Sequence, residues 1–276
     1  MYNADLHCHS TASDGLLTPA EVVRLASTRG VNLVSLTDHD ETCGLVEAAS
    51  AAAESGIEFV SGVEVSATWK SRTIHIVGLG FDTANRVFAE GLARLRASRE
   101  RRARCMADEL ARIGIEGSFE GASAYASPGG LLSRSHFARF LVERNYARDV
   151  KSVFQHYLAS GKPGYVAHEW ASLEQAVRWI RDSNGIAVLA HPGRYRLSDA
   201  EMEILLGEFR ALGGQALELV TGTHTRHEYR RFARLARRFG FAASRGSDYH
   251  GPGESRSEPG VLAALPGDVT PVWKLF

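Results

Sequence analysis

The sequence predicts an α/β fold, a parallel barrel or a doubly wound sheet, interrupted by a helical subdomain. Three observations predict it. Short apolar segments alternate with amphipathic ones over about residues 1–80 and again after 170. The stretch 83–168 breaks that rhythm with helical periodicity alone. Histidines and carboxylates recur where the apolar segments end.

Each element has a local reason. "NADLH" reads as a short strand. "TPAEVVRLASTRG" begins with Thr18 as N-cap and Pro19 at the first helical position, and it stops at Gly30. "VNLVSLTDHD" is an apolar strand ending in acids, "GLVEAASAAAESG" a helix, and "IEFVSGVEVSA" and "TIHIVGL" two further strands. In the middle, "ANRVFAEGLARLRASRERRARCMADELARIG" is one long helix. "SRSHFARFLVERN" and "DVKSVFQHYLASG" are two shorter ones, with no convincing strand between them. The alternation returns with helix "SLEQAVRWIRDSNG", strand "IAVLAHPG", helix "SDAEMEILLGEFRALGG" and strand "ALELV". Helix "THTRHEYRRFARLARRFG" and strand "FAASRGSD" follow, which brings the expected strands to seven. The expected division is therefore an α/β domain of residues 1–82 and 169–276, with residues 83–168 inserted into it.

Composition narrows the class. The 276 residues are 44% hydrophobic and 23% charged, an ordinary globular balance. Thirty-two basic and 32 acidic residues cancel, which argues against duplex nucleic acid or a membrane surface as partner. No apolar run approaches the roughly 18–20 residues of a membrane helix. "MYNADLH" lacks the pattern of a secretory signal. Cys8, Cys43 and Cys105 are too widely spaced for a disulfide framework or a thiolate zinc site. A reduced, cytoplasmic setting is the expectation.

The chemistry gathers at the strand ends. His7 and His9, two apart on an extended segment, point the same way, and Asp14 follows them. Asp38 and His39 end the second strand, Glu64 sits in the third, and His75 lies in the fourth. His191 ends the fifth, and Asp248 and His250 follow the last. Parallel α/β folds bind ligands outside the C-terminal ends of their strands. One histidine at such a place is ordinary core packing. Six of the eleven, interleaved with carboxylates, are too costly to bury together unless cations pair them. The ligands offer imidazole nitrogen and carboxylate oxygen without thiolate, a mixture suited to Mn, Fe or Zn rather than Ca. Cys8 points away from His7 and His9 and reads as packing. Asp5 and Asp38 are expected to accept imidazole N–H bonds; Asp40 does the same or caps a helix.

The ordered segments "DLHCHS", "TDHD", "GVE", "HIVG", "AHPGR" and "GSDYH" resemble the successive motifs of the polymerase-and-histidinol-phosphatase (PHP) superfamily. The resemblance covers about residues 1–80 and 170–255. In the insert, "RSHFA" and "YLASGKPGYV" are similar to a bacterial branch of nucleotide phosphoesterases. The resemblance implies a distorted (β/α)7 barrel, up to three divalent metal ions (Mn2+ first, Fe or Zn next) and phosphomonoester hydrolysis. It places His7, His9, Glu64 and Asp248 on one metal, Glu64 with His75 and His191 on a second, and Asp14, His39 and His250 on a third. Paired cations would acidify the attacking water and neutralise phosphoryl oxygens. Arg194 is either a bidentate phosphoryl clamp or an exposed loop arginine. Asp248 or a nearby histidine would protonate the leaving oxygen.

Substrate contacts are less sharply marked. Arg134 and His136 open an inserted helix; they are helix-end residues or, as the resemblance implies, substrate contacts. Lys162 is a lesser candidate, and His224 is either a substrate contact or a cap. Arg96, Arg99, Arg101, Arg102 and Arg104 read as a solvated helix face, and His156, His168 and His227 as structural. The resemblance points to nucleoside 3′,5′-bisphosphates cleaved at the 3′ position to leave the 5′-monophosphate. A histidinol-phosphate or other sugar-phosphate phosphatase is the alternative within enzymes of one kind. A 5′–3′ exonuclease trimming short oligonucleotides is another, and a degenerate metal-binding scaffold a third, which the complete ligand set disfavours.

Overall fold

A computed structural model describes residues 2–127 and 130–276. Strands β1 (Ala4–Asp5), β2 (Leu33–Val34) and β3 (Glu58–Phe59) form a small parallel sheet, with helices α1 (Pro19–Thr28) and α2 (Leu45–Ser55) between them. The sequence predicts the start of α1 well: Thr18 and Glu21 close a capping box and Pro19 opens the first turn. A second, six-stranded sheet has the order β6-β4-β5-β7-β8-β9. Its strands are β4 (Gly62–Trp69), β5 (Arg72–Leu79), β6 (Ala171–Ser172), β7 (Ile186–Leu189), β8 (Ala216–Thr221) and β9 (Ala242–Gly246). Helices α7 (Leu173–Asp182), α8 (Asp199–Ala211) and α9 (Arg226–Phe239) cross between its later strands.

Among the described residues nine strands replace the seven expected, because "IEFVSGVEVSA" divides into β3 and β4 and because β6 is a two-residue strand. The sheet is also not wholly parallel. Only Lys70 and Ser71 join β4 to β5, both with positive φ (45° and 64°), as a tight hairpin turn requires. Two residues cannot make the crossover that a parallel pair needs, so β5 runs antiparallel to β4 and to β7. The two sheets do not form one continuous closed ladder. They meet at two seams of single bridges: Cys8 to Tyr249, with Asp248 N–H donating to the His7 carbonyl (2.8 Å), and His39 to Glu64, with Asp40 N–H donating to the Glu64 carbonyl (3.0 Å). The expected α/β class is thus met by two sheets joined at these seams.

Between β5 and β6 lie α3 (Arg86–Ala111), α4 (Ser118–Ser123), α5 (Arg134–Glu143) and α6 (Val150–Val153), the last continuing into a π-turn over Phe154–Leu158. These helices pack an apolar cluster of their own around Met106, Leu110, Phe137, Leu141 and Leu158. The larger core runs through Val63, Val65, Ile76, Leu189, Leu217 and Phe232. The seams matter for function because they carry the strand-end histidines and acids to one point.

Candidate metal centre and its rim

The centre of the site is Glu64 on β4, fully buried. Its Oε1 lies 2.7 Å from His75 Nδ1, 2.8 Å from His191 Nε2 and 3.4 Å from His7 Nε2. Its Oε2 lies 2.8 Å from His39 Nδ1 and 3.4 Å from His9 Nε2. One carboxylate thus faces five imidazoles from four different chain segments. Asp248 Oδ1 stands 3.4–3.7 Å from His9, His7 and His250, and its Oδ2 accepts from Arg194 at 2.7 Å. Asp14 Oδ1 lies 3.4 Å from His250 Nε2.

Local backbone makes this convergence possible. His191 and Asp248 both have positive φ (26° and 54°), a conformation costing about 1–3 kcal/mol per non-glycine residue and held by its surroundings. Gly246 is required where β9 passes β1, because a Cβ there would stand 2.1 Å from that of His7. Glu218 on β8, 1% exposed, fastens two of the histidines: it accepts from His7 Nδ1 at 2.8 Å and from the His191 backbone N–H at 2.6 Å. Sequence reasoning missed it. The signal was a single acid in the otherwise apolar strand "ALELV".

The donor set fits divalent cations. Because Glu218 takes the His7 Nδ1 proton, a neutral His7 turns its Nε2 lone pair toward Glu64, Asp248 and His9. His250 Nδ1 donates to the Asp248 carbonyl (3.0 Å), so its Nε2 lone pair likewise faces Asp14 Oδ1. Asp14 Oδ1, Glu64 Oε2 and His39 Nδ1 are buried without a hydrogen-bond partner, although the last two lie only 2.8 Å apart. Lone pairs facing lone pairs in a buried site require positive charge between them, which a metal ion or a proton supplies. The titration follows the same logic. Burial opposes ionisation of Glu64, Asp14 and Asp248, yet the cationic groups around each hold all three well below the usual carboxylate range. Burial, aided by neighbouring imidazoles, pushes His9 down to about 3. Burial pushes His75 down to about 4 against the pull of Glu64. Burial also opposes charge on His7, but Glu218 and Glu64 outweigh it and raise that ring. Four overlapping groups of ligand atoms, each within 4.8 Å of one another, contain all nine expected metal residues. They are His9, Asp14, His39 and His250; His7, His191 and Asp248; His7, His9 and Glu64; and His39, Glu64 and His75. His191 falls in the group with His7 and Asp248, and His9 also in the Asp14 group, while His75 and His191 meet at the same Glu64 oxygen.

The aspartates expected to orient imidazoles do other work. Asp38 accepts from Ser10 N, Ser10 Oγ and Ser13 Oγ at 2.5–2.8 Å, shaping the loop before Asp14. Asp5 accepts from the N–H groups of Ser247 and Gly260. Asp40 accepts from Ser66 N–H and from Arg99 Nε, both at 2.7 Å. Cys8 is fully buried and donates to the Ser35 carbonyl, as packing predicts.

Over the ligands lies a cleft of ≈ 130 Å³, lined by Arg99, Arg102, Arg134, Arg194, Phe154 and Trp170 together with Asp14, His39, Glu64, His75, Asp248 and His250. The reading of the α3 arginines as a solvated face is half right. Arg101 and Arg104 are exposed, but Arg99 is buried and Arg102 partly so. Both stack on Trp170, at 4.6 and 5.5 Å from the ring centre. Burial and then the charges of Arg134 and Arg99 push Arg102 down to about 10. Arg134, over Phe154 at 5.5 Å, is lowered by burial first and by Arg99 and Arg194 after it. Among the described residues neither Arg102 nor Arg134 has a carboxylate within 4.0 Å.

Three expected substrate contacts lie elsewhere. His136 is 1% exposed, and its Nδ1 accepts the Ser133 N–H, so it caps α5. His224 donates from Nδ1 to the Leu219 carbonyl and accepts the Gly193 N–H at Nε2, which braces the turn carrying Arg194. Lys162 is exposed outside the cleft wall.

Residues 5–221 match the PHP domain. The chain belongs to the PHP domain family. It is 48% identical over 274 residues to a 3′,5′-nucleoside bisphosphate phosphatase of Chromobacterium violaceum, covering 99% of this chain and 96% of that one. It is 42% identical over 274 residues to a 5′-3′ exoribonuclease of Escherichia coli, covering 99% of this chain and 93% of that one. Among solved structures, an amidohydrolase from Chromobacterium violaceum with bound sulfate and no metal aligns with a TM-score of 0.96 at 48% identity, over 99% of this chain and 95% of that one. Among the described residues no helix is long and apolar enough to cross a membrane.

Proposed function

We propose that this PHP-family chain is a divalent-metal-dependent phosphoesterase that removes the 3′-phosphate of nucleoside 3′,5′-bisphosphates, giving the 5′-monophosphate and inorganic phosphate. The observation that carries the substrate reading is the pair Arg102 and Arg134. Two guanidiniums without a carboxylate partner share one cleft with the nine-ligand cluster, and a second anion on the substrate would satisfy both. The 48% identity to a bisphosphate phosphatase supports it.

His7, His9, Glu64 and Asp248 would hold one ion, His75 and His191, which face one oxygen of Glu64, a second with that carboxylate, and Asp14, His39 and His250 a third, Mn2+ being our first choice and Fe or Zn next. When bound, such ions supply Lewis acidity that activates water and neutralises phosphoryl oxygens. The chain's own residues do the rest. Arg194 spends one nitrogen on Asp248 and keeps the remainder of its fork for a phosphoryl oxygen. Asp248, held ionised, keeps that guanidinium in place; it is our choice to accept the proton that the attacking water gives up and to return it to the leaving oxygen. Trp170 and Phe154 fix the planes of Arg102 and Arg134. In the same reading residues 83–168 form an inserted subdomain, supported by their separate apolar cluster, and the two sheets form a distorted (β/α)7 barrel, supported by the two seams.

A second reading, 5′–3′ trimming of short oligonucleotides, is favoured by the 42% identity to an exoribonuclease. Steady-state phosphate release with Mn2+ separates these. Nucleoside 3′,5′-bisphosphate should exceed the 3′-monophosphate, histidinol phosphate and short RNA in kcat/KM. Equal rates on the bisphosphate and the 3′-monophosphate would overturn the bisphosphate reading, and preference for short RNA would favour the second.

A further inference from the structure

The group of Asp14, His39 and His250 is not built by strand ends alone. Asp14 and His250 lie on two separate loops, and the inserted helix α5 ties those loops together. Arg139 on α5 is 6% exposed. Its Nη2 donates to the Asp14 carbonyl at 2.5 Å, and its Nε and Nη2 grip both oxygens of Glu254 at 2.8 Å. Glu254 belongs to the turn that follows His250, where its N–H donates to the Gly251 carbonyl and the His250 N–H donates to Ser255 Oγ (2.6 Å). Ser133, the N-cap of α5, donates to Asp14 Oδ2 at 2.9 Å. That bond rotates the free oxygen, Oδ1, toward His250 and His39.

We propose that Arg139 and Ser133 are positioning residues that make cation binding at Asp14, His39 and His250 depend on docking of the insert. The proposal rests on the metal reading above. Four insert hydrogen bonds fix the backbone, the carboxylate and the neighbouring loop of this one position, whereas among the described residues Glu64, His75 and His191 receive none from the insert. The position therefore depends on the insert in a way that the one around Glu64 does not. Since α5 also carries Arg134 into the cleft, occupancy here and anion binding there reinforce each other, as linkage requires.

The test is calorimetric titration of Mn2+ into metal-free wild type, Arg139→Gln, Glu254→Gln and Ser133→Ala. Arg24→Gln, in an exposed pair with Glu54, is the control. Circular dichroism and melting are measured without metal. In the three α5-linked variants one class of Mn2+ sites weakens about 10- to 100-fold, the usual effect of losing a bond behind a ligand, and the remaining class keeps its affinity. Raising Mn2+ restores kcat, which a folding lesion would not permit. Wild-type isotherms in both Arg139→Gln and Ser133→Ala would overturn the proposal. Should Arg139→Gln fail to fold, Ser133→Ala and Glu254→Gln decide it alone. A wild type that takes up no Mn2+ would remove the metal reading and this proposal together, an outcome distinct from unchanged variants.

Discussion

The floor and the rim of this site are built by opposite rules. The floor comes from strand ends and seams: Glu64 and His7 are fully buried, and His191 nearly so. Acidic neighbours hold each imidazole in place. The rim comes from helices of the insert, and its charges are cationic, partly exposed and short of partners. Strand ends and seams fix the floor side chains at 2.7–3.7 Å from one another. The rim needs only to bring positive charge near a second anion, so two arginines on two helices suffice. On the proposed function, the difference assigns the reaction to the floor and selectivity to the rim.

The severest way to break the comparison is at the floor. Replacing Glu64 by Gln keeps its size and removes the one carboxylate that faces five imidazoles. Turnover should fall by at least about three orders of magnitude with circular dichroism unchanged, because in the proposed metal reading the activating cations would lose a carboxylate ligand. Near-normal kcat on a bisphosphate substrate would place the chemistry elsewhere. Next in size is the joint between floor and rim. Arg99 pairs with the fully buried Asp40 at 2.7 Å and donates to Ser66 Oγ at 2.6 Å. Arg99→Leu strands a buried carboxylate and should destabilise folding by about 3–5 kcal/mol, read as a shift of the urea midpoint. Arg101→Gln, two residues away and exposed, should shift it by less than about 0.5 kcal/mol. Equal shifts would mean that Asp40 is not dependent on its partner.

The same contrast explains what the sequence disclosed. The floor residues at strand ends were legible because a strand end has a fixed place in an α/β fold: knowing that His191 closes "IAVLAH" is enough to bring it to the common mouth, whereas Asp14, on a loop, was legible through the family resemblance. A helix gives no such address. Arg99, Arg101 and Arg102 look alike in "SRERRAR", and only the docking angle of α3 buries the first, exposes the second and aims the third at the cleft. His136 misled for a related reason, since an "S-R-S-H" start offers the histidine as a cap as readily as a contact. The parallel expectation failed at Lys70 and Ser71, where the missing crossover was itself a readable signal. Glu218 was hidden by its setting, one acid among apolar neighbours on a buried strand.

At the rim the expected effects are smaller and selective. Arg134→Ala and Arg102→Ala each remove a charge-assisted bond to a partly desolvated anion, worth roughly 1.5–3 kcal/mol. Each should lower kcat/KM for the bisphosphate by roughly 10- to 150-fold and leave the 3′-monophosphate within about threefold. Losses of equal size on both substrates would assign these arginines to the reacting phosphate and erase the division between floor and rim.

The smallest effect tests where the rim stops. Lys162 sits in the segment returning from the insert to β6, next to the π-turn that brings Phe154 to the cleft. Proximity in sequence made it a candidate for the second anion, yet it is exposed and absent from the cleft wall. An exposed ammonium at that remove acts through water and salt, and such interactions are worth at most about 1 kcal/mol. Lys162→Ala should therefore leave kcat/KM for the bisphosphate within about twofold at 0.15 M salt, and the melting temperature unchanged. Any residual loss should vanish at higher salt, as screening of a distant charge requires, whereas the loss in Arg134→Ala should persist because its partner is held in the cleft. A tenfold, salt-insensitive loss in Lys162→Ala would show that the loop folds inward when substrate binds, and the rim would then have to include it.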